Sequence, residues 1–213
     1  SNKPEGGSQT GDGGFQAGGA KDQYEIGGRT EVDAVTQAEG KLGNHFDAIR
    51  RSISEAISET GMEKFIDIEE DPHWLTININ SGLIFAEGSA SVLAASRPII
   101  ARIAVAISNI NNYIRIRGYT DNTFIPNGIF RNSWDLSANR AVSVLEELEK
   151  AGIIPDRMAV EAFGQYSPKY SNATAAGRAM NRKVVIAISR YAMEAPKTIN
   201  VPEGGLIKSK GDD

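Results

Sequence analysis

Few side chains in this sequence are placed to do chemistry, and two of them carry opposite charge: Asp121 and Arg140. Both lie in "IRIRGYTDNTFIPNGIFRNSWDLSANRAVSVLEEL", residues 114–148. Alternating apolar and polar residues before Asp121 predict a strand, a polar loop follows, and a helical period then resumes. Asp121 therefore falls at the C-terminal end of a strand, where α/β folds place binding groups. An Asp there also suits a turn that hydrogen-bonds its own backbone. With Asn132 or Ser133 capping, the helix buries Ser137, Ala141, Val144, Leu145 and Leu148. Arg140 borders that stripe through Leu136 and Val144, near the helix start. A cation there opposes the helix dipole at about a few tenths of a kcal/mol. An anionic partner would offset this, and free N-terminal N–H groups would serve the same anion. A surface bridge between Asp121 and Arg140 is worth about 0–1 kcal/mol. The sharper expectation is one shared ligand bearing an ammonium and a carboxylate. Asp121 would take the ammonium, and Arg140 would bind the carboxylate bidentately.

Other chemistry is poorly supplied. The sequence has no Cys, which excludes disulfides, thiolate catalysis and Cys-based metal sites. Of the 2 His, His45 and His73, neither has a second ligand at metal-binding spacing. No Gly-x-Ser-x-Gly elbow marks a nucleophile. Carboxylate runs such as Glu69, Glu70 and Asp71, or Glu146 and Glu147, read as solvated faces. "DNTFIPNG" departs from a calcium loop because Phe124 and Ile125 supply no ligand. The expectation is a binding protein, not an enzyme, with no metal and no cofactor. A net charge of −4 argues against nonspecific affinity for nucleic acid or acidic lipid.

The elements that must position the pair come next. Residues 1–30 are rich in Gly and polar side chains, too poor in apolar surface to fold, and read as a flexible tether. Such a tether spans roughly 100 Å when taut and about 30 Å when relaxed. Over 31–60, Ala38, Leu42, Phe46, Ile49, Ile53 and Ile57 recur at helical spacing, predicting an amphipathic helix. Gly40 and Gly43 weaken its N-terminal half, which suggests a segment able to unravel in regulation. From 61 to 190, strands "KFIDIEE", "HWLTININ", "YIRIRGY", "RMAVEAFG" and "NRKVVIAISR" alternate with helices "SVLAASRPIIARIAVAISNI" and "SWDLSANRAVSVLEELEKAG". "SGLIFAEGSA" reads as a turn and loop. The pattern predicts an α/β sandwich with helices on one face of a mixed sheet. The stretch 191–213, rich in Pro, Gly and Lys, reads as a disordered tail. The first residues, "SNKPEGG", lack a Met, so the chain reads as an excised piece of something longer.

Three blocks in order, "IRGYTDN", "WDLSANRAVSVLEEL" and "FGQYSPKYSNATAAGRAMNRKVVIAI", resemble the peptidoglycan-binding domain of the OmpA family. The likeness covers about residues 81–190. It implies a βαβαβ-type mixed sheet with an extra N-terminal helix and strand. It also implies that Asp121 and Arg140 hold the zwitterionic end of diaminopimelate in the stem peptide, with Thr120, Asn122, Ser133, Leu136 and Arg182 beside them. Three positions depart from the family pattern: Tyr119 replaces a His, Lys183 an Arg, and Ser133 a common Asn. The Trp of "SWDLSANRA", the long loop and the preceding helix resemble the flagellar stator subgroup of MotB and PomB, nearer PomB, the sodium-driven type. That subgroup implies a homodimeric periplasmic domain of a single-pass inner-membrane protein with a MotA- or PomA-type partner. The alternative is a general envelope anchor, a lipoprotein or porin tail without a motor. A cell-wall hydrolase is the remaining class and the least supported.

Overall fold

The computed structural model describes residues 46–193. The expected tether, the first part of the amphipathic helix with Gly40 and Gly43, and the tail beyond 193 lie outside the described residues. Helix α1 runs over 46–58 and buries Phe46, Ile49, Ile53 and Ile57, the positions that the helical period picks out. Strands β1 (Ile66–Glu70) and β2 (Trp74–Asn80) follow, then a single turn of helix α2 (Ser81–Ile84). Helix α3 (Arg97–Ser108), β3 (Asn112–Tyr119), α4 (Ser133–Lys150), β4 (Met158–Gly164), α5 (Ala175–Asn181) and β5 (Lys183–Ala192) complete the domain.

The five strands form one mixed sheet in the order β1-β2-β5-β3-β4. β5 pairs antiparallel with both β2 and β3, whereas β3 and β4 are parallel. A parallel pair needs a long crossover, and α4 supplies it. In β2, Leu75, Ile77 and Ile79 are buried while their neighbours alternate outward. Ile114 and Ile116 of β3 and Val184, Ile186 and Ile188 of β5 join them. The same cluster takes in the apolar stripes of α1, α3 and α4, so the helices share one face. The other face is aromatic and charged. There the Arg117 guanidinium lies over Trp74, 4.7 Å from the ring centre, and Tyr119 stacks on Phe163 at 4.9 Å. Among the described residues no helix is long and apolar enough to cross a membrane.

Four departures from the sequence reading have local causes. The stretch expected to turn at Ser81 closes one helical turn, because the Asn80 side chain accepts from the Gly82 N–H at 2.8 Å. Helix α3 starts later than its apolar period suggests. Val92 instead bridges Phe85, a 3-10 turn occupies Ala94–Ser96, and Pro98 sits in the first helical turn. Tyr191 and Ala192, assigned to the tail, continue β5. Helix α5 was not anticipated at all, since seven residues carry too little period to register.

The tightest contact between layers is at Gly118 of β3. A Cβ there would lie 2.0 Å from the Ser137 carbonyl oxygen of α4. Only a bare Cα lets this helix settle so deeply on the sheet. The Ser137 hydroxyl donates to the Trp134 carbonyl at 3.0 Å and accepts from the Gly164 N–H at 3.1 Å, tying α4 to β4. Gly118→Ala should therefore force backbone apart and cost about 1–3 kcal/mol. Urea unfolding checks this as a lowered midpoint, and an unchanged midpoint would contradict the close approach.

Candidate functional site

The chain leaves β3 at Thr120, whose backbone N–H donates to the Gly164 carbonyl at 2.8 Å. That bond fixes the next residue, Asp121, which is only 3% exposed. Its Oδ1 accepts from the Thr123 N–H at 3.0 Å and the Thr123 hydroxyl at 2.8 Å. This is the turn anticipated for an Asp at this position. Oδ2 does a second job, accepting from Arg182 Nη1 at 2.5 Å. Burial opposes ionisation of the carboxyl, but the Thr123 and Arg182 hydrogen bonds outweigh it and hold the group below its ordinary range.

Arg140 comes from α4, whose first turn is capped by Asn132 accepting from the Asp135 N–H at 2.9 Å. Arg140 as a whole is 5% exposed. Its Nε donates to the Ser89 carbonyl at 2.8 Å, and its face lies 5.1 Å from the centre of the Phe85 ring. Among the described residues its two Nη atoms have no hydrogen-bond partner. Desolvation pulls its pKa down to about 10, the nearby Arg182 charge adds to this, and Asp121 acts against it. The group stays cationic at neutral pH, unpaired and largely out of water.

Asp121 and Arg140 do not form an ion pair; Asp121 pairs with Arg182. All three line one cavity of about 510 Å³ with Phe85, Glu87 and Thr123. Ser81 lines it too, and its buried hydroxyl has no hydrogen-bond partner among the described residues. The cavity thus carries two cations and one anion. Arg182 reaches it from the residue that ends α5, where its own carbonyl accepts from the Ser81 N–H at 2.9 Å. The preceding Asn181 side chain staples the loop before α5, bonding Lys169, Tyr170 and Asn172.

Two expectations about α4 are corrected. Arg140 stands seven residues after Ser133, about two turns in, where the dipole has faded. Its cost is desolvation instead. Nor does the helix N-terminus supply donors to the cavity: Asn132 caps it, and neither Ser133, Trp134 nor Asp135 lines the space. Of the site candidates, Thr120, Asp121, Leu136, Arg140 and Arg182 line the cavity, and Asn122 and Ser133 do not. Asn122 is exposed on the Asp121 turn, and Ser133 packs beneath Gly164. Sequence reasoning missed Phe85, Glu87 and Ser81, because nothing in "SGLIFAEGS" signals that this segment folds back over α4. Among the described residues no group of three His, Asp or Glu is placed to hold a metal.

The carboxyl makes a pH-dependent contribution with a defined sign. Its folded pKa lies below the ordinary 3.8. The stabilisation is therefore complete above that value and disappears as pH falls through the folded one. Asp121→Asn should cost stability at neutral pH and progressively less as pH drops below about 4. Thermal unfolding of both proteins from pH 7 to pH 2 measures the difference. A gap that stays constant across the range would contradict the assignment.

Comparison with known proteins finds a family pattern over the region that carries these features. Residues 84–182 match the OmpA family pattern. Motility protein B of Bacillus subtilis is 30% identical over 149 residues, 68% of this chain and 57% of its own length. The cell wall anchor of the T6SS from Pseudomonas aeruginosa superposes with a TM-score of 0.60 at 27% identity, covering 64% of this chain and 96% of that one. The periplasmic domain of Helicobacter pylori MotB (residues 90–256) gives a TM-score of 0.55 at 27% identity, covering 58% and 78%. The chain spans a little over half the length of the motility protein B relatives, 57% and 52%. Residues 84–182 thus match the OmpA family, and the chain is similar to motility protein B and to the periplasmic domain of MotB.

Proposed function

We propose that this domain anchors a flagellar stator to peptidoglycan by gripping the stem peptide without chemistry. The observation that carries the reading is the buried, unpaired guanidinium of Arg140 beside the Asp121–Arg182 pair in one cavity. A zwitterionic amino-acid end meets all three groups. Its carboxylate takes the free Nη fork of Arg140, relieving a desolvated cation, and Arg182 is close enough to share it. Its ammonium takes Asp121, whose Oδ2 already accepts one charged donor. A ligand lacking either charge leaves a buried group unpaired and is rejected. Diaminopimelate presents such an end on a side chain, so the stem peptide is the fitting source.

The likeness to motility protein B and to a periplasmic MotB domain supports the motor setting. In that setting the domain works in the periplasm, as a homodimer. A membrane segment outside this chain joins a MotA- or PomA-type subunit. The likeness to a T6SS cell wall anchor favours a second reading, the same grip serving an envelope machine other than the flagellum. Grafting residues 46–193, which carry all five strands, onto a motility protein B that lacks its own wall-binding domain separates the two, since only a stator domain should restore swimming.

The grip itself is tested by sedimentation with purified cell wall. Arg140→Ala and Asp121→Asn should each weaken binding by about 30-fold or more, as loss of one member of a desolvated charge pair does. Arg140→Lys should also bind poorly, because an ammonium cannot reproduce the fork. Full retention of binding by the folded variants overturns the reading.

A further inference from the structure

Trp134 and Tyr166 form an aromatic pair that the charged cavity does not use. Their rings stack 4.8 Å apart at 21°, yet they stay 45% and 60% exposed. Two backbone features hold them in register. Trp134 is the second residue of α4, behind the Asn132 cap. Gly164, at φ +55°, turns the chain at the end of β4, and the Tyr166 N–H donates back to the Phe163 carbonyl at 3.2 Å. A Cβ on Gly164 would come within 2.9 Å of the Ser133 hydroxyl, so the turn sits tightly against the start of α4. The same Gly164 carbonyl accepts from Thr120, the neighbour of Asp121. One residue thus joins the cavity edge to the aromatic pair, both at the C-terminal end of the parallel strands β3 and β4.

We propose that Trp134 and Tyr166 are a platform for a sugar ring of the glycan strand that carries the gripped stem peptide. The proposal rests on the stem-peptide reading above. A pyranose is flat, with an apolar C–H face and a hydroxyl rim, and a preformed aromatic surface meets that face at little entropic cost. Polar groups for the rim stand alongside: Arg131 and Asp135 flank Trp134, and Asn139 bonds Asp135 one turn on. The reach also fits. A stem peptide is joined to the glycan at one end, and three extended residues span about 10 Å, whereas neighbouring strands lie about 5 Å apart. A peptide leaving the Asp121 cavity along the strand ends brings its sugar to the edge of β4. Two aromatic rings are too small a patch for a protein partner, which needs about 800 Å² on each side.

The test uses the whole chain and two probes, a free stem peptide containing diaminopimelate and the same peptide joined to its disaccharide, titrated by calorimetry. The wild type should bind the disaccharide-peptide about three- to tenfold more tightly than the free peptide. Tyr166→Ala and Trp134→Ala should erase that preference and bind the free peptide as the wild type does. Tyr166→Phe, which keeps the stack, should retain the preference. Tyr166 lies on an exposed loop, so its variant serves even where Trp134→Ala disturbs the helix start. Equal binding of both probes by the wild type overturns the platform alone. So does a loss in Tyr166→Ala that is the same for both probes, or an undiminished preference in that variant. Binding of neither probe overturns the stem-peptide reading and the platform with it.

Discussion

A guanidinium withdrawn from water must be met by something, and much of this domain follows from where Arg140 is held. Its depth is set by the contact of α4 with β3, where the Ser137 backbone rests on the bare Cα of Gly118. A helix standing one methyl group farther out would carry Arg140 toward solvent and relax its desolvation. At the observed depth, the segment after α2 closes over it, offering the Ser89 carbonyl to Nε and the Phe85 ring to the guanidinium face. These contacts leave the charge without a counter-ion. The cation is fixed in direction as well as position, because both Nε and the ring face are engaged.

Asp121 is arranged on the opposite logic. Its carboxylate is saturated at Oδ1 by Thr123 and paired at Oδ2 with Arg182. The fold therefore tolerates its burial. Arg182 has the freedom that Arg140 lacks: its side chain is 45% exposed, against 4% for that of Asp121. Of the three charges, the anion and one cation are fixed, and the second cation has room to shift. Such a site can hold its anion neutralised at rest and still accept an incoming ammonium, with Arg182 turning toward the incoming carboxylate. Placing two cations around one anion also biases the cavity toward ligands with a carboxylate, since the Arg182 charge adds to the desolvation that disfavours the protonated form of Arg140.

The sequence made some of this legible and hid the rest for identifiable reasons. Strand β2 and helix α4 follow directly from period, because each has one buried face and one wet one. The Asp–Arg pair was readable from type and position, a carboxylate at a strand end and a cation beside an apolar stripe. Its physical basis was not, because depth of burial is a tertiary property: the dipole invoked for Arg140 acts over one turn, and the residue lies about two turns in. Arg182 was found through resemblance alone, since α5, which delivers it, has too few residues to show a period. Phe85, Ser81 and Glu87 were invisible because Asn80 converts an expected loop into a helical turn that redirects the chain. In both cases a short polar cap decided the path where apolar pattern had nothing to say.

An anchor has to hold while it is pulled, and the distribution of the site across the fold bears on that. Asp121 extends from β3, Arg182 leads into β5, and Arg140 belongs to the helix packed on β3 and β4. Strands β3 and β5 are neighbours in the middle of the sheet, buried along much of their length, and locked by antiparallel pairing from Asn112 to Gly118. Force on a ligand held as proposed would, through Asp121 and Arg182, enter the sheet at adjacent central strands, where opening requires the ladder and the core beneath it to fail together. A site carried on an edge strand or a long loop would yield by local unfolding at much lower cost. The loop 122–132 is kept out of this path: within it, Thr123, Phe124, Ile125 and Asn127 line the cavity, yet Asp121, Arg140 and Arg182 are rooted elsewhere. On the proposed reading this loop would shape the ligand's surroundings without bearing its load.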